Sequence, residues 1–360
     1  MKTLRSLGGR PAWTGADLRA DEAGWRLPLE PDELHDVEQA LQRVKAQGLP
    51  WHVVTRETFP LPVFGARLRA AADELEQGRG VIQFKGLPVA RYGPDDLKAM
   101  FFGIASHLGR PVYQSARGEL LGEIRDEGAA VGQIRGQMTN PDGTAFLSSR
   151  ARAQSAAPLR WHTDRTDVVG LLAVGQAAEG GISRLASVVA IHDAMVARRP
   201  DLAAILYQDI YRSRLGEEAG GGDSIYGLPV FTVTEGRFAS HYSRTYVEAA
   251  QKLPDTPAMS EAQWAALDLL AELGDELCYE MELEPGDMQF LNNHVVYHAR
   301  SDFRDDPATG RVRNLYRIWL SMPNSRRLAP CFSELFGSTE PGILRGGIHH
   351  AESGAIAPGA

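Results

Sequence analysis

Apolar residues recur with two different periods along this chain. Between Pro31 and Gln47, Leu34, Val37, Leu41 and Val44 fall at helical spacing, with a proline at the start and Gly48 at the stop. The same pattern predicts helices over 63–77, 94–107, 191–207 with a break at Pro200, and 260–281. The last carries Trp264, Leu267, Leu270 and Leu273 on one stripe. Shorter apolar runs bounded by Gly and Pro read as strands. These are Val81-Ile82-Gln83-Phe84, 168–174, 288–291, 294–299 and 314–321. Residues 228–240 read as a hairpin turning at Glu235-Gly236.

The pattern fades over 115–160, where Gly, Ser, Arg and Gln dominate and Pro141-Asp142-Gly143 signals a turn. A loop of this length inside a domain suits a substrate lid, with a surface loop of no role as the alternative. Residues 1–60 read as a lead-in segment, and the Gly-rich residues after 336 as a loose tail. No internal repeat is present. The whole chain, 1–360, is expected to form one domain.

With 43% hydrophobic and 23% charged residues, the composition is that of a globular protein with a sizeable core. The formal net charge of −8 argues against nucleic acid as the main partner, although local arginines still permit an anionic small molecule. Cys278 and Cys331 are the only cysteines, which fits a reducing compartment and no disulfide framework. No window approaches a membrane span, and the N-terminus lacks an apolar core of a signal peptide. A cytoplasmic protein acting on a small molecule is expected, with self-association left open.

The chemistry concentrates in a few places. Trp161-His162-Thr163-Asp164 sets a histidine and a carboxylate two residues apart, so on a strand both point the same way. A third ligand is offered downstream by Asn292-Asn293-His294-Val295-Val296-Tyr297-His298-Ala299-Arg300. Two histidines and one carboxylate suit non-haem Fe(II) with open positions for a cosubstrate and O₂. His294 and His298 are four apart, so strand parity does not choose between them. In Gly310-Arg311-Val312-Arg313-Asn314-Leu315-Tyr316-Arg317, Arg313 and Arg317 stand in apolar company, and a buried arginine calls for an anion. A dicarboxylate gripped by a guanidinium would supply one. Arg160 and Arg165 flank the triplet as surface charges or as contacts to an anionic substrate. Trp161 and Trp319 read as core aromatics. The stretch 237–246, with His241, Tyr242 and Arg244, has the composition of a pocket wall, which the sequence alone does not place.

In their order and spacing these pieces resemble the TauD/TfdA-like branch of the Fe(II)/2-oxoglutarate-dependent dioxygenases, related to clavaminate synthase and γ-butyrobetaine hydroxylase. The matching pieces are residues 80–88, the triplet at 162–164, Gly180-Gly181-Ile182-Ser183-Arg184, Gly286-Asp287, the asparagine pair before His298, and the run ending at Arg317. The resemblance implies a mainly β fold with flanking helices. That fold is a double-stranded β-helix, or cupin-like jelly roll, with a helical insert at about 191–280 between its halves. It implies Fe(II), 2-oxoglutarate and O₂ as cofactor and cosubstrates, with release of succinate and CO₂. It implies His162, Asp164 and His298 as metal ligands, His298 being the histidine followed by a small residue and Arg. His294 then falls to a supporting place. It implies Arg313 and Ser183 at the far carboxylate of 2-oxoglutarate, and Arg317 as a substrate or cosubstrate contact. The two arginine roles remain exchangeable, because the spacing after the histidine varies in the family. Halogenating relatives lack the carboxylate, so Asp164 favours hydroxylation, desaturation or cyclisation of a small anionic or amino-acid-like substrate.

Rival readings stay open at this level. A cupin-type metal enzyme without 2-oxoglutarate would need no Arg313. A non-catalytic jelly-roll binding protein would have no use for intact ligands. A zinc hydrolase would be expected to carry a helical HExxH, which is absent.

Overall fold

Alternation along one strand, Asn314–Ser321, sets up the architecture. Tyr316, Ile318 and Leu320 enter one apolar core, while Leu315 and Trp319 enter another, so Arg317 shares the second face. The computed structural model describes residues 4–127, 153–213 and 225–359, together with the backbone of 137–139 and 145–147. Asn314–Ser321 belongs to a seven-stranded sheet ordered Arg26–Pro28, Val81–Lys85, Met288–Asn292, Val168–Gly175, Asn314–Ser321 and Arg110–Val112, with Leu121–Ile124 also paired to Asn314–Ser321. A smaller sheet of four strands runs Tyr279–Met281, Ser183–Ser187, Val296–Arg300 and Leu159–His162. Its pairings are antiparallel, and those of the larger sheet are too except between Arg26–Pro28 and Val81–Lys85.

The two sheets face each other as a jelly roll. Val169, Ala173, Leu291 and Leu315 of the larger sheet share a core with Leu185 and Val296 of the smaller one. The helices Pro31–Ala46, Phe64–Gln77 and Pro94–Ser106 cover the outer face of the larger sheet, packing on Ile82, Phe84, Leu172, Phe290 and Ile318. Val188–Arg198 and Glu261–Leu277 cover the smaller sheet. Each buried Leu, Ile or Phe contributes roughly 1.5–3 kcal/mol. Helix starts follow local chemistry: Ser260 and Gln263 form a reciprocal capping box, and Pro31 occupies the first turn of its helix.

Several expectations are redrawn by tertiary pairing. The helix expected over 260–281 stops at Leu277, and Tyr279–Met281 becomes an edge strand against Ser183–Leu185. The helix over 191–207 is two helices, Val188–Arg198 and Pro200–Ile205, divided where Pro200 was expected to break it. In the hairpin, Glu235 and Gly236 take φ of 50° and 76° as a tight turn needs, but only Phe231–Thr234 and Arg237–Ser240 form it. Ile225–Pro229 instead pairs with Asp209–Ser213, so the insert at 191–280 is part helix and part hairpin. The lead-in segment joins the main sheet through Arg26–Pro28, with Trp25 buried.

The tail after 336 lacks helix or strand beyond that residue, yet it is not loose. Arg345 is fully buried, Gly347 N–H donates to Arg165 C=O (2.7 Å), and Ile348 N–H donates to Tyr113 C=O (2.8 Å). Buried hydrogen bonds, which composition does not reveal, hold it down. The lid expected over 115–160 lies in large part outside the described residues. Among the described residues no helix is long and apolar enough to cross a membrane, and Cys278 and Cys331 are unpaired.

Candidate active site

His162 and His298 sit directly opposite each other on neighbouring strands of the smaller sheet. Opposed residues of an antiparallel pair share a face, so both rings enter the space between the sheets, with centroids 4.1 Å apart. The chain leaves the strand after His162, and Asp164 follows onto the same side. Its backbone N–H is held by Asn293 Oδ1 (3.0 Å), and Asn293 N–H donates to Asp167 C=O (2.9 Å). Asn292 Oδ1 accepts from His294 N–H (2.9 Å). The asparagine pair thus latches the turn before His298 to the triplet.

The result is one cluster, in which ligand atoms of His162, Asp164 and His298 lie within 4.8 Å of one another. His162 Nδ1 lies 2.9 Å from the Arg160 carbonyl, which can only accept, so Nδ1 carries the proton and Nε2 keeps its lone pair. His298 Nε2 lies 3.8 Å from Asp164 Oδ2, and that carboxylate oxygen has no hydrogen-bond partner among the described residues. Burial, reinforced by His162, pushes the His298 ring down to about 3, and burial lowers His162 too. Burial works to raise Asp164, but Arg317 and the two histidines outweigh it and hold the carboxyl below its ordinary range. Two neutral imidazoles and one carboxylate is the protonation state a divalent metal needs.

His294 is not part of this cluster. It sits in the turn before the strand, and its Nε2 lies 2.9 Å from Asp167 Oδ1. Arg345 Nε donates to the same oxygen (2.9 Å), with its Nη2 in ion-pair contact at 2.8 Å, and Met322 N–H donates to the other (3.0 Å).

A second group gathers further along the inner face. Ser183 is opposite Arg300, one inward position along from the Leu185–His298 pair. Arg300 and Arg313 both lie over the Phe303 ring, their guanidinium carbons 4.7 and 5.3 Å from its centroid. Arg313 Nη1 is buried without a hydrogen-bond partner among the described residues. Burial and the neighbouring Arg300 charge push Arg313 down to about 9, and burial pushes Arg300 down to about 10. Arg313 thus sits buried beside a second cation, an environment that favours an anionic partner. Gly181, with φ of 72°, makes room for Arg313: a Cβ there would sit 3.2 Å from its Cδ and Nε.

Arg317 is placed differently. Its Nε donates to Gln114 Oε1 (2.7 Å), its Nη1 lies 3.4 Å from Asp164 Oδ1, and it covers the Trp319 ring at 5.1 Å. It opens onto a cavity of about 300 Å³ that Gln114, Glu123, Arg125 and Gln154 also line. The remaining expectations separate cleanly. Arg160 is taken by Glu248 and Thr245, and Trp161 packs outward with its Nε1–H on Asp275. Arg244 is occupied by Glu248 and Asp268.

Gln114 was not singled out from the sequence, and Asn293 entered only as half of the asparagine pair before His298. Asn293 had a signal in its pairing with Asn292, and Gln114 had none. Arg300 was legible only as the residue that follows His298-Ala299.

Residues 45–319 match the model of the taurine catabolism dioxygenase TauD, TfdA family. The chain is 28% identical over 335 residues to FR-33289 synthase of Streptomyces rubellomurinus, covering 90% of this chain and 93% of that one. It is 27% identical over 327 residues to taurine hydroxylase-like protein SAT17 of Stachybotrys chartarum, covering 88% and 80%. Among solved structures, asparagine oxygenase with Fe(II), 2S,3S-3-hydroxyasparagine and succinate superposes with a TM-score of 0.60 at 17% identity, covering 82% of this chain and 94% of that one. The non-heme iron oxygenase OrfP with Fe and alpha-ketoglutaric acid does so with 0.58 at 15%, covering 88% and 98%. The chain belongs to the TauD/TfdA family and is an Fe(II)- and 2-oxoglutarate-dependent dioxygenase.

Proposed function

We propose that this enzyme oxidises a C–H position of a small amino-acid-like substrate carrying an anionic group, in the course of which 2-oxoglutarate and O₂ become succinate and CO₂. In the hydroxylating case one oxygen atom of O₂ enters the product and the other enters succinate. The observation that carries the reading is the pairing of two incomplete sites on one inner face. His162, Asp164 and His298 present a buried carboxylate oxygen without a partner, and Arg313 presents a buried N–H without one. A divalent metal completes the first and a carboxylate completes the second.

Bound Fe(II) supplies the activation of O₂, and 2-oxoglutarate the reducing electrons. The protein supplies position. His162 and His298 offer neutral nitrogens, and Asp164 offers its charge. Arg313 takes the far carboxylate of 2-oxoglutarate, with Ser183 as a hydroxyl donor beside it and Arg300 adding positive charge. Arg317, already held by Gln114 and Asp164, turns towards the cavity, where it suits a carboxylate of the substrate. This arrangement supports Arg313 for the cosubstrate and Arg317 for the substrate, in place of the exchanged roles. The asparagine oxygenase and OrfP were solved with a hydroxylated asparagine and a hydroxylated arginine, which supports an amino-acid-like substrate.

The test is an anaerobic titration with Fe(II) and 2-oxoglutarate, watching for the visible metal-to-ligand charge-transfer band. A band is expected in the native protein. Its absence with iron demonstrably bound would overturn the assignment of Arg313 and Ser183 to 2-oxoglutarate. Its retention in Arg313→Ala at unchanged 2-oxoglutarate affinity would overturn the role of Arg313.

A further inference from the structure

The residues around the triplet form more of the inner face than its own strand supplies. His162 pairs across an antiparallel bridge with Ser243. Thr163 N–H donates to Tyr242 C=O (2.9 Å), and Tyr242 N–H returns a bond to Thr163 Oγ1 (3.1 Å). The pairing ends there, and His241 stands two residues before Ser243 on the same extended segment. Opposed residues share a face and neighbours alternate. Tyr242 therefore points away, and its ring packs on Tyr297 in the core (5.5 Å). Ser243, and with it His241, falls on the side of His162.

His241 carries an orphaned ring nitrogen, as do His294 and His298. It is 5% exposed, and its Nδ1 is buried with no hydrogen-bond partner among the described residues. His162 and His294 have carbonyl or carboxylate partners that account for their orientation. The His241 ring meets Phe336 edge-on at 6.3 Å. Positive charge surrounds it. Arg212 and Arg165 both act on the ring, with His294 and His162 behind them. Arg212 is fully buried and gives its Nη1 to Leu228 C=O (2.6 Å) and its Nη2 to His241 C=O (2.9 Å). Its Nε has no partner, and no carboxylate pairs with it among the described residues. A buried polar ring backed by a guanidinium without a carboxylate partner among the described residues costs free energy unless a partner arrives. The partner that satisfies both the ring N–H and the surrounding charge is an oxygen of an anionic group.

Resting on the dioxygenase reading above, we propose that His241 is a substrate-positioning residue: its ring lies on the His162 side of the cleft and hydrogen-bonds an oxyanion-bearing group of the substrate. Arg317 and His241 approach the cluster from two different elements, Arg317 beside Asp164 on the strand Asn314–Ser321 and His241 on the side of His162 in the segment after Arg237–Ser240. A substrate held at both has its intervening carbons presented to the metal. That makes the residue at 241 a determinant of which substrate fits.

The experiment uses the intact protein with Fe(II) and 2-oxoglutarate under anaerobic conditions, and reads perturbation of the charge-transfer band. The probes are free L-amino acids, including L-asparagine and L-arginine, and small aminoalkyl carboxylates, sulfonates and phosphonates. Native protein, His241→Phe and His241→Asn are compared. At least one oxyanion-bearing probe is expected to perturb the native band. His241→Phe, which keeps the packing on Phe336, is expected to weaken that probe at least tenfold while Fe(II) and 2-oxoglutarate bind as before. His241→Asn, which keeps a donor, is expected to recover part of the loss. Equal probe affinity in His241→Phe would overturn the proposal. So would loss of the Fe(II)–2-oxoglutarate band itself in that variant, since the residue would then be supporting the metal site. If no probe perturbs a native band that does form, the substrate class is wrong while the dioxygenase reading stands. If the native band never forms, the failure belongs to the cosubstrate assignment and removes this proposal with it.

Discussion

His294 gives its ring to Asp167: Nε2 stands 2.9 Å from Oδ1, and both residues are buried. The carboxylate of Asp167 also receives Arg345 from the tail and the backbone of Met322, so it ties three separate segments together. His294 therefore serves the frame of the site, and His298 serves its interior.

His298→Ala is expected to abolish Fe(II) binding, while His294→Ala keeps iron bound and loses stability. Removing one partner of a buried hydrogen bond costs about 1–3 kcal/mol. Iron content after gel filtration, set beside chemical denaturation of both variants, separates the two roles. Iron retained in His298→Ala and lost in His294→Ala would reverse the ligand choice.

Arg345→Ala strands the buried charge of Asp167 with only His294 and a backbone N–H. Breaking a buried ion pair from one side costs roughly 3–5 kcal/mol. Urea unfolding should show a loss of that order. A loss below about 1 kcal/mol, the range of surface ion pairs, would mean that the tail contributes little to the fold.

Arg313→Ala should weaken 2-oxoglutarate by about 10- to 100-fold, the range for a charged hydrogen bond worth about 1.5–3 kcal/mol, and leave iron affinity unchanged. Arg317→Ala should leave 2-oxoglutarate closer to native. Titrating the charge-transfer band in each variant ranks them, and the opposite ranking would move the cosubstrate role to Arg317.

Gly181→Ala places a Cβ 3.2 Å from the Arg313 side chain at a residue with φ of 72°. The positive φ alone costs on the order of 1 kcal/mol for a residue with a Cβ. The displaced arginine adds a rise in the apparent KM for 2-oxoglutarate. A variant with native KM would show that the stem of Arg313 adjusts without moving its guanidinium.

Stability should fall with acid from a group far from the metal cluster. Burial lowers His192 below its ordinary value, although Asp193 works to raise it. Its ring contacts Phe231 and Phe238, and Tyr207 OH lies 3.0 Å from Nε2. The folded state thus prefers the neutral ring, whereas the unfolded chain takes up a proton near pH 6.5. The contribution is complete above about pH 6.5 and is lost as pH falls from there through the lower folded value. Melting temperatures between pH 8 and pH 5 should decline less steeply for His192→Asn than for the native protein. Identical slopes would assign the acid sensitivity to other groups.

The sequence by itself determined what local periodicity can report. A two-residue spacing put His162 and Asp164 on one side of the chain. The apolar alternation of 314–321 exposed a strand with Arg317 on its inner face, and Pro200 divided a helix. The order of these pieces also carried the family resemblance, and with it the jelly roll. Local periodicity assigns a side chain to a face but does not say which face meets which. His294 and His298 share a parity, and only the turn at Asn292-Asn293 and the pairing of His298 with His162 separated them. The same long-range pairing brought Arg300 beside Arg313, put Gln114 against Arg317, turned 279–281 from helix into strand, and set Ser243 across from His162. These contacts join residues far apart in the chain, so their cost and gain arise from strand register and burial. No window of sequence contains either.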